Sequence, residues 1–395
     1  MRIQNLKKPA RPSLSSILCF VVPGFLFLSC AQFSNRDVKP GPLSVSTHWV
    51  RDSLATPNTG FRKINRMSPL LYKNLVIVGN SIDGIVAYTQ DSGQEVWRIA
   101  IPQGVEASGT VIKDRLFVGS NNGRMYSIDL GTAQTLWTFD TKSEIIAEPL
   151  LLDGILYFLS ASQSIFALDA VTGKQQWTYN RQDTANLMTI RSGSRPSYSN
   201  GTLYLGFSDG SLVALNAKTG TQQWEIYLNK NTRFKDIDAS PVVNGDFIYI
   251  NSYDDKLYCV SKTKGEIIWS AKSGGVSTPL VVGDKIIFST SKGEMISLAK
   301  SDGHEIWKYK TENGILTDPI LFRGFVVAGE SQGRLLLLDI LTGELKGSFE
   351  PGRGVFSKPT ADLESKLIYF ISGEGNIYSI HADASLKASI YYLKN

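Results

Sequence analysis

Few residues in this chain have the types and spacing that chemistry needs. Its three histidines, His48, His304 and His381, stand far apart, and none belongs to a metal-spaced cluster. His304, in Asp302-Gly303-His304, falls on an outer turn. The three cysteines are Cys19, Cys30 and Cys259, with no two adjacent. Cys259, within Leu257-Tyr258-Cys259-Val260, reads as a small apolar residue buried in a strand. There is no nucleophile elbow, phosphate loop or zinc motif. The sequence therefore assigns no catalytic residue, no metal and no cofactor. Two stretches are longer than the matching approaches to other repeats, one holding Met188, Ile190 and Arg191 and the other Asp236 and Asp238, and binding tends to reside on such loops. An arginine with apolar neighbours suits an interface anchor. Carboxylates can hold such a guanidinium in place or meet a basic partner. An internal reading stands beside this one: the aspartates cap turns, Arg191 bridges to them inside the protein, and Met188 and Ile190 tuck under the loop.

The elements that must position these residues are repeats. Residues 208–224 read as turn, strand, turn and the start of another strand, with Asp209-Gly210 and Lys218-Thr219-Gly220 as the turns. The same pattern recurs along the chain. Pro149, Pro196, Pro241, Pro279 and Pro319 each precede the first turn by 14 residues. Trp97, Trp137, Trp177, Trp224, Trp269 and Trp307 follow it at a near-constant distance. A period near 40 residues with four short strands per period predicts an all-β fold, an eight-bladed β-propeller of four-stranded antiparallel blades. Trp49, ahead of the first repeat, predicts that the N-terminal strand completes the last blade and closes the ring. The tail Ser389-Ile390-Tyr391-Tyr392-Leu393 competes for that place. Each tryptophan fills the gap where blades splay apart, and burial of its roughly 150–250 Å² gives about 4–6 kcal/mol of gross transfer energy, an upper bound. Gly347 stands where the seventh repeat calls for tryptophan, so a weaker joint is expected there.

The 395 residues carry a formal charge of +5, of which Arg2, Lys7, Lys8 and Arg11 contribute four. Residues 30–395 are thus nearly neutral, which argues against nucleic acid as a partner. The first 29 residues hold no acidic side chain, and a basic start leads into an apolar run that ends at Phe27-Leu28-Ser29-Cys30. This is the pattern of an export leader. Residues 30–42, polar and ending in Pro40-Gly41-Pro42, read as a flexible tether. The propeller then occupies residues 43–395.

The leader resembles a bacterial lipoprotein signal, which implies a lipid on Cys30 and attachment to a membrane. Ala31 follows where an aspartate would retain the protein at the inner membrane, so the resemblance implies an outer-membrane position facing the periplasm. The repeats, for example Phe166-Ala167-Leu168-Asp169-Ala170-Val171-Thr172-Gly173-Lys174-Gln175-Gln176-Trp177, resemble the pyrroloquinoline-quinone-type propeller repeat. Quinone-dependent dehydrogenases with this repeat use a vicinal cysteine pair, which is missing here, so the repeat is read as a packing motif without the cofactor. Residues 43–380 are similar to the BamB-type outer-membrane β-barrel assembly lipoproteins. Met188-Thr189-Ile190-Arg191, five residues ahead of Pro196, and Asp236-Ile237-Asp238, ahead of Pro241, match that family's two loop motifs, with methionine in place of the usual leucine. The resemblance implies a non-catalytic scaffold. Its two loops would dock the periplasmic domains of the barrel-assembly protein BamA, and nascent outer-membrane proteins would be further partners. The alternatives are an envelope lipoprotein of the same repeat with another partner, or a quinone-dependent dehydrogenase.

Overall fold

A computed structural model describes residues 43–55, 64–181, 193–229, 236–253 and 256–383. The leader, Cys30, the tether and the tail at 389–393 lie outside these residues, as do Met188, Ile190 and Arg191.

The described chain forms eight four-stranded antiparallel sheets and no helix. Blade 4 shows how the sequence makes one. Its strands are Ser197–Ser199, Thr202–Gly206, Ser211–Asn216 and Gln222–Tyr227, counted from the axis outward. Gly210, at φ 86°, makes the tight turn between the second and third. The two middle strands are apolar without alternation because both faces are covered. Leu203, Leu205, Val213 and Leu215 pack toward blade 3. Tyr204, Leu212 and Ala214 pack toward blade 5. The outer strand is open to water at both ends and half-buried in its middle.

Each outer strand is locked to its blade by a pairing of sizes. The tryptophan lies opposite a small residue on the third strand: Trp97 opposite Ala87, Trp137 opposite Ser127, Trp177 opposite Ala167, Trp224 opposite Ala214, Trp269 opposite Cys259 and Trp307 opposite Ser297. A bulge follows at the same place in every one of these pairs. Cys259 is thereby one of a series of small residues, and it is buried as expected.

The same tryptophans join neighbouring blades. The Trp177 indole lies over Gly220 of blade 4, and its Nε1–H donates to the Ala217 carbonyl at 3.1 Å. Trp137 over Gly173, Trp224 over Gly265 and Trp307 over Gly343 repeat the contact, with donations to Ala170, Lys262 and Ile340. At the joint of blades 1 and 2, Ala133 takes the glycine place at φ 57°. There the buried Trp97 N–H finds no acceptor among the described residues.

The ring closes as the sequence predicts. The N-terminal strand Ser44–Asp52 pairs with Asn376–Asp383 as the outer strand of blade 8. Trp49 then lies over Gly93 of blade 1 and donates to the Gln90 carbonyl at 2.9 Å. The weaker joint expected at Gly347 is corrected by the structure. Blade 7 reverses the size pairing, with Leu337 opposite Gly347, and Leu43 and Val45 of the closing segment fill the space that a tryptophan takes elsewhere.

These contacts predict unequal costs for one substitution at two glycines. A Cβ on Gly220, at φ 71°, would stand 2.5 Å from the Trp177 ring, whereas one on Gly201, at φ 82°, meets nothing within 4 Å. Gly201→Ala should cost about 1 kcal/mol from backbone strain alone, and Gly220→Ala about 2–4 kcal/mol once overpacking is added. Denaturant unfolding of the two variants measures the difference.

Candidate functional site

In each blade the turn between the second and third strands lies on the same face of the ring as the crossing from the outer strand to the next blade. The two stretches singled out in the sequence are such crossings, into blades 4 and 5. Their described ends are held firmly. Arg181, the last described residue before the first loop, is 9% exposed at its side chain. Its guanidinium pairs with Asp209 on the tight turn of blade 4 and with Glu225 on that blade's outer strand, the latter at 2.8 Å. It also lies 5.2 Å from the Phe207 ring centre. Burial works against its charge, but the two carboxylates outweigh this and the guanidinium holds its proton more firmly than usual.

The second loop re-enters at Asp236. Ile237 is buried under Gly206, where any Cβ would come within 2.3 Å of its side chain, and its N–H donates to the Phe207 carbonyl at 3.2 Å. Asp236 is fully buried and Asp238 is 9% exposed. The two loop ends are bonded to each other. Ser194 Oγ donates to the Ala239 carbonyl at 3.2 Å, and the Arg195 N–H donates to Ser240 Oγ at 3.0 Å.

Inside the loop ends runs a central channel of about 770 Å³, with Asp238 in its wall. Its walls include the residues that precede each innermost strand: Ser68, Ser108, Glu148, Arg195, Ser240, Thr278, Asp318 and Lys358. These form a belt. The Ser68 N–H donates to Ser108 Oγ at 2.9 Å, Ser240 to Thr278 Oγ1 at 3.3 Å, and Thr278 to Asp318 Oδ1 at 2.9 Å. Arg195 Nη1 reaches Glu148 Oε1 at 3.3 Å. Burial in this narrow space pushes the Glu148 and Asp318 carboxyls up, against the pull of Arg195 and Lys358 on Glu148 and of Lys358 on Asp318. The belt mixes both signs of charge. Among the described residues no three His, Cys, Asp or Glu side chains are grouped to hold a metal.

The sequence profile described as "Outer membrane protein assembly factor BamB" matches residues 81–309 and 241–388. The chain belongs to the BamB family. Outer membrane protein assembly factor BamB of Salmonella typhimurium is 24% identical over 400 residues, covering 95% of this chain and 99% of that protein. The Shewanella oneidensis protein of the same description is 26% identical, over 75% of this chain and 80% of its own length. The crystal structure of BamB from Moraxella catarrhalis superposes with a TM-score of 0.72 at 18% identity, covering 86% of this chain and 100% of that one. Quinohemoprotein alcohol dehydrogenase from Comamonas testosteroni reaches a TM-score of 0.67 at 13% identity, covering 85% of this chain and 76% of that one. That likeness shows the propeller fold alone. The BamB family is one of assembly factors, so the chain is not an enzyme.

The structure thus brings the described ends of both predicted loops together and buries Asp236 and Asp238 at the entry to blade 5. Met188, Ile190 and Arg191 lie outside the described residues. Sequence reasoning missed Arg181, the channel pair Glu148 and Arg195, and Glu330. Glu330 had a signal. Aligned blade by blade, it stands where the other repeats have Asn80, Ser120, Ser160, Phe207, Ser252, Thr290 and Ser372. Its carboxylate is fully buried and accepts from Thr311 Oγ1, from Asn313 Nδ2 at 3.2 Å, and from the Arg334 N–H and Nε at 2.9 and 3.3 Å. Burial alone would raise its pKa, but these donors hold it below the usual carboxylate range.

Two predictions follow from these buried charges. Arg181→Leu leaves Asp209 and Glu225 facing each other, so it should cost about 2–4 kcal/mol in urea unfolding, with Arg181→Lys recovering only part. For Glu330, a depressed folded pKa means stability that is complete above the unfolded value of about 4.3 and lost as pH falls through the folded one. Glu330→Gln should therefore cost about 1–3 kcal/mol at pH 7 and progressively less as the pH drops below 4, measured by unfolding across that range.

Proposed function

We propose that this chain is a lipid-anchored scaffold of the outer-membrane β-barrel assembly machinery, and that it docks the periplasmic domains of a BamA-type partner through the loops entering blades 4 and 5. The observation that carries this reading is the joined footing of those loops. The described ends of the two loops stand on a ring whose blades are locked together, and those ends are tied by Ser194–Ala239 and Arg195–Ser240. A rigid base of this kind lowers the entropy cost of presenting a binding surface.

The burial of Asp236 and Asp238 divides the labour among the residues. Met188, Ile190 and Arg191 make the contact with the partner. Asp236 and Asp238 act from beneath, by holding the second loop and its neighbours in place. Cys30 carries the lipid at the end of the tether, and the protein faces the periplasm from the outer membrane, where nascent outer-membrane proteins also pass it.

Affinity capture from the native envelope tests this. The full-length chain, tagged at its C-terminus and solubilised in mild detergent, should retain a large outer-membrane barrel protein with repeated periplasmic domains. Arg191→Glu should reduce that capture about tenfold or more while the variant unfolds at the wild-type denaturant concentration. Capture of a different envelope protein would leave a repeat lipoprotein with another partner. Undiminished capture by Arg191→Glu would remove the loops from the interface. Cys30→Ser should move the chain from the membrane fraction to the soluble one.

A further inference from the structure

Two of the chain's three histidines, scattered in the sequence, meet at the seam that closes the ring. His48 lies on the N-terminal strand and His381 on the strand it pairs with, and their ring centres are 4.9 Å apart with the planes inclined at 58°. His48 sits within the irregularity between Thr47 and Trp49, the place where the closing strand shifts register. Its Nδ1 is 3.3 Å from Ser379 Oγ. A ring nitrogen held in this way fixes the orientation of the imidazole and leaves Nε2 for a ligand. His48 is half-buried and His381 exposed, so the pair is open to solutes.

The spacing has a meaning for coordination. A metal bonded at about 2.0–2.1 Å to a ring nitrogen lies about 3.2 Å from the ring centre, so two imidazoles at 90–110° around one ion place their centres about 4.5–5.2 Å apart. The observed 4.9 Å falls within that interval. We propose that His48 and His381 form a two-imidazole site for a borderline divalent transition-metal ion, with water completing its coordination, and that the bound ion clamps the ring at its closing seam. Imidazole pairs suit copper, nickel and zinc, with copper bound most tightly.

The surrounding charges are compatible with a cation. Burial and the neighbouring His381 lower the His48 pKa, and Asp91, on the turn of blade 1 that faces the seam, acts against them with its negative charge. Beside His381, Lys366 pairs with Asp383 at 3.4 Å and so offsets part of its charge. Among the described residues no third His, Cys, Asp or Glu joins the pair, which makes this a two-ligand site on the protein side.

Copper(II) chloride added to the full chain in detergent at pH 7.5 is the test. Trp49 follows His48 in sequence and is one of seven tryptophans, so paramagnetic quenching should remove about one-seventh of the tryptophan emission. The thermal midpoint should rise by about 2 °C or more once copper greatly exceeds its dissociation constant. Zinc should give the rise without the quenching. His48→Gln and His381→Gln should each lose both effects, and His304→Gln, altered at the distant exposed histidine, should keep them. Acidification of the wild type to pH 5 should also abolish them, which decides the matter if either seam variant fails to fold. Absence of both effects in the wild type, or their survival in the seam variants or at pH 5, would overturn the proposal.

Discussion

A single contact recurs around this ring and the rest of the structure depends on it: an indole laid flat on a glycine of the next blade. In its full form the contact has three parts. A residue without a Cβ takes a positive φ, the residue across the strand from the tryptophan is small, and a backbone carbonyl accepts from the indole N–H. Gly220, Ala167 and the Ala217 carbonyl supply these parts for Trp177. The large flat side chain then buries area where two twisted sheets would otherwise diverge. Removal of any one element leaves a gap or a clash, because closely packed interiors relax only in part.

Two joints depart from this form: between blades 1 and 2 Ala133 takes the glycine place and the Trp97 N–H has no acceptor among the described residues, and blade 7 has no tryptophan. Blade 7 swaps the sizes, setting Leu337 against Gly347, and the chain's own N-terminal segment supplies the missing volume through Leu43 and Val45. The same segment carries Trp49 to blade 1. One strand thus mends the joint on one side of blade 8 and makes the joint on the other. Closure pairs the strand Ser44–Asp52 with Asn376–Asp383 in one blade, and it couples the stability of the ring to that first strand.

Rigidity at the rim and at the axis serves the loops between them. The belt of hydrogen bonds around the channel fixes neighbouring blades at their narrow ends, while the tryptophans fix them at their wide ends. The loops into blades 4 and 5 therefore start and finish on elements that cannot shift independently. Arg181 and Ile237 are the clearest cases, each buried in the adjoining blade and each at the edge of a loop. A basis of this kind suits a protein that holds other proteins in place, and it matches the membership of the chain in a family of assembly factors.

The sequence alone determined the repeat and the blade count, and for the closing strand it offered both the segment of Trp49 and the tail at 389–393. Local chemistry dictates these: glycine turns, unbroken apolar strands and tryptophans at a fixed spacing are legible one period at a time. Trp49 announced the closing strand because a repeat position stood filled with no repeat around it. The joint at Gly347 was misread because its remedy, Leu43, lies some 300 residues away, and no local pattern marks it. For the same reason only the tertiary structure decided that Asp236 and Asp238 are buried, that Arg181 is clasped by two carboxylates of the next blade, and that His48 meets His381. Side chains of one blade find their partners in another, and the ring, not the spacing along the chain, sets those distances.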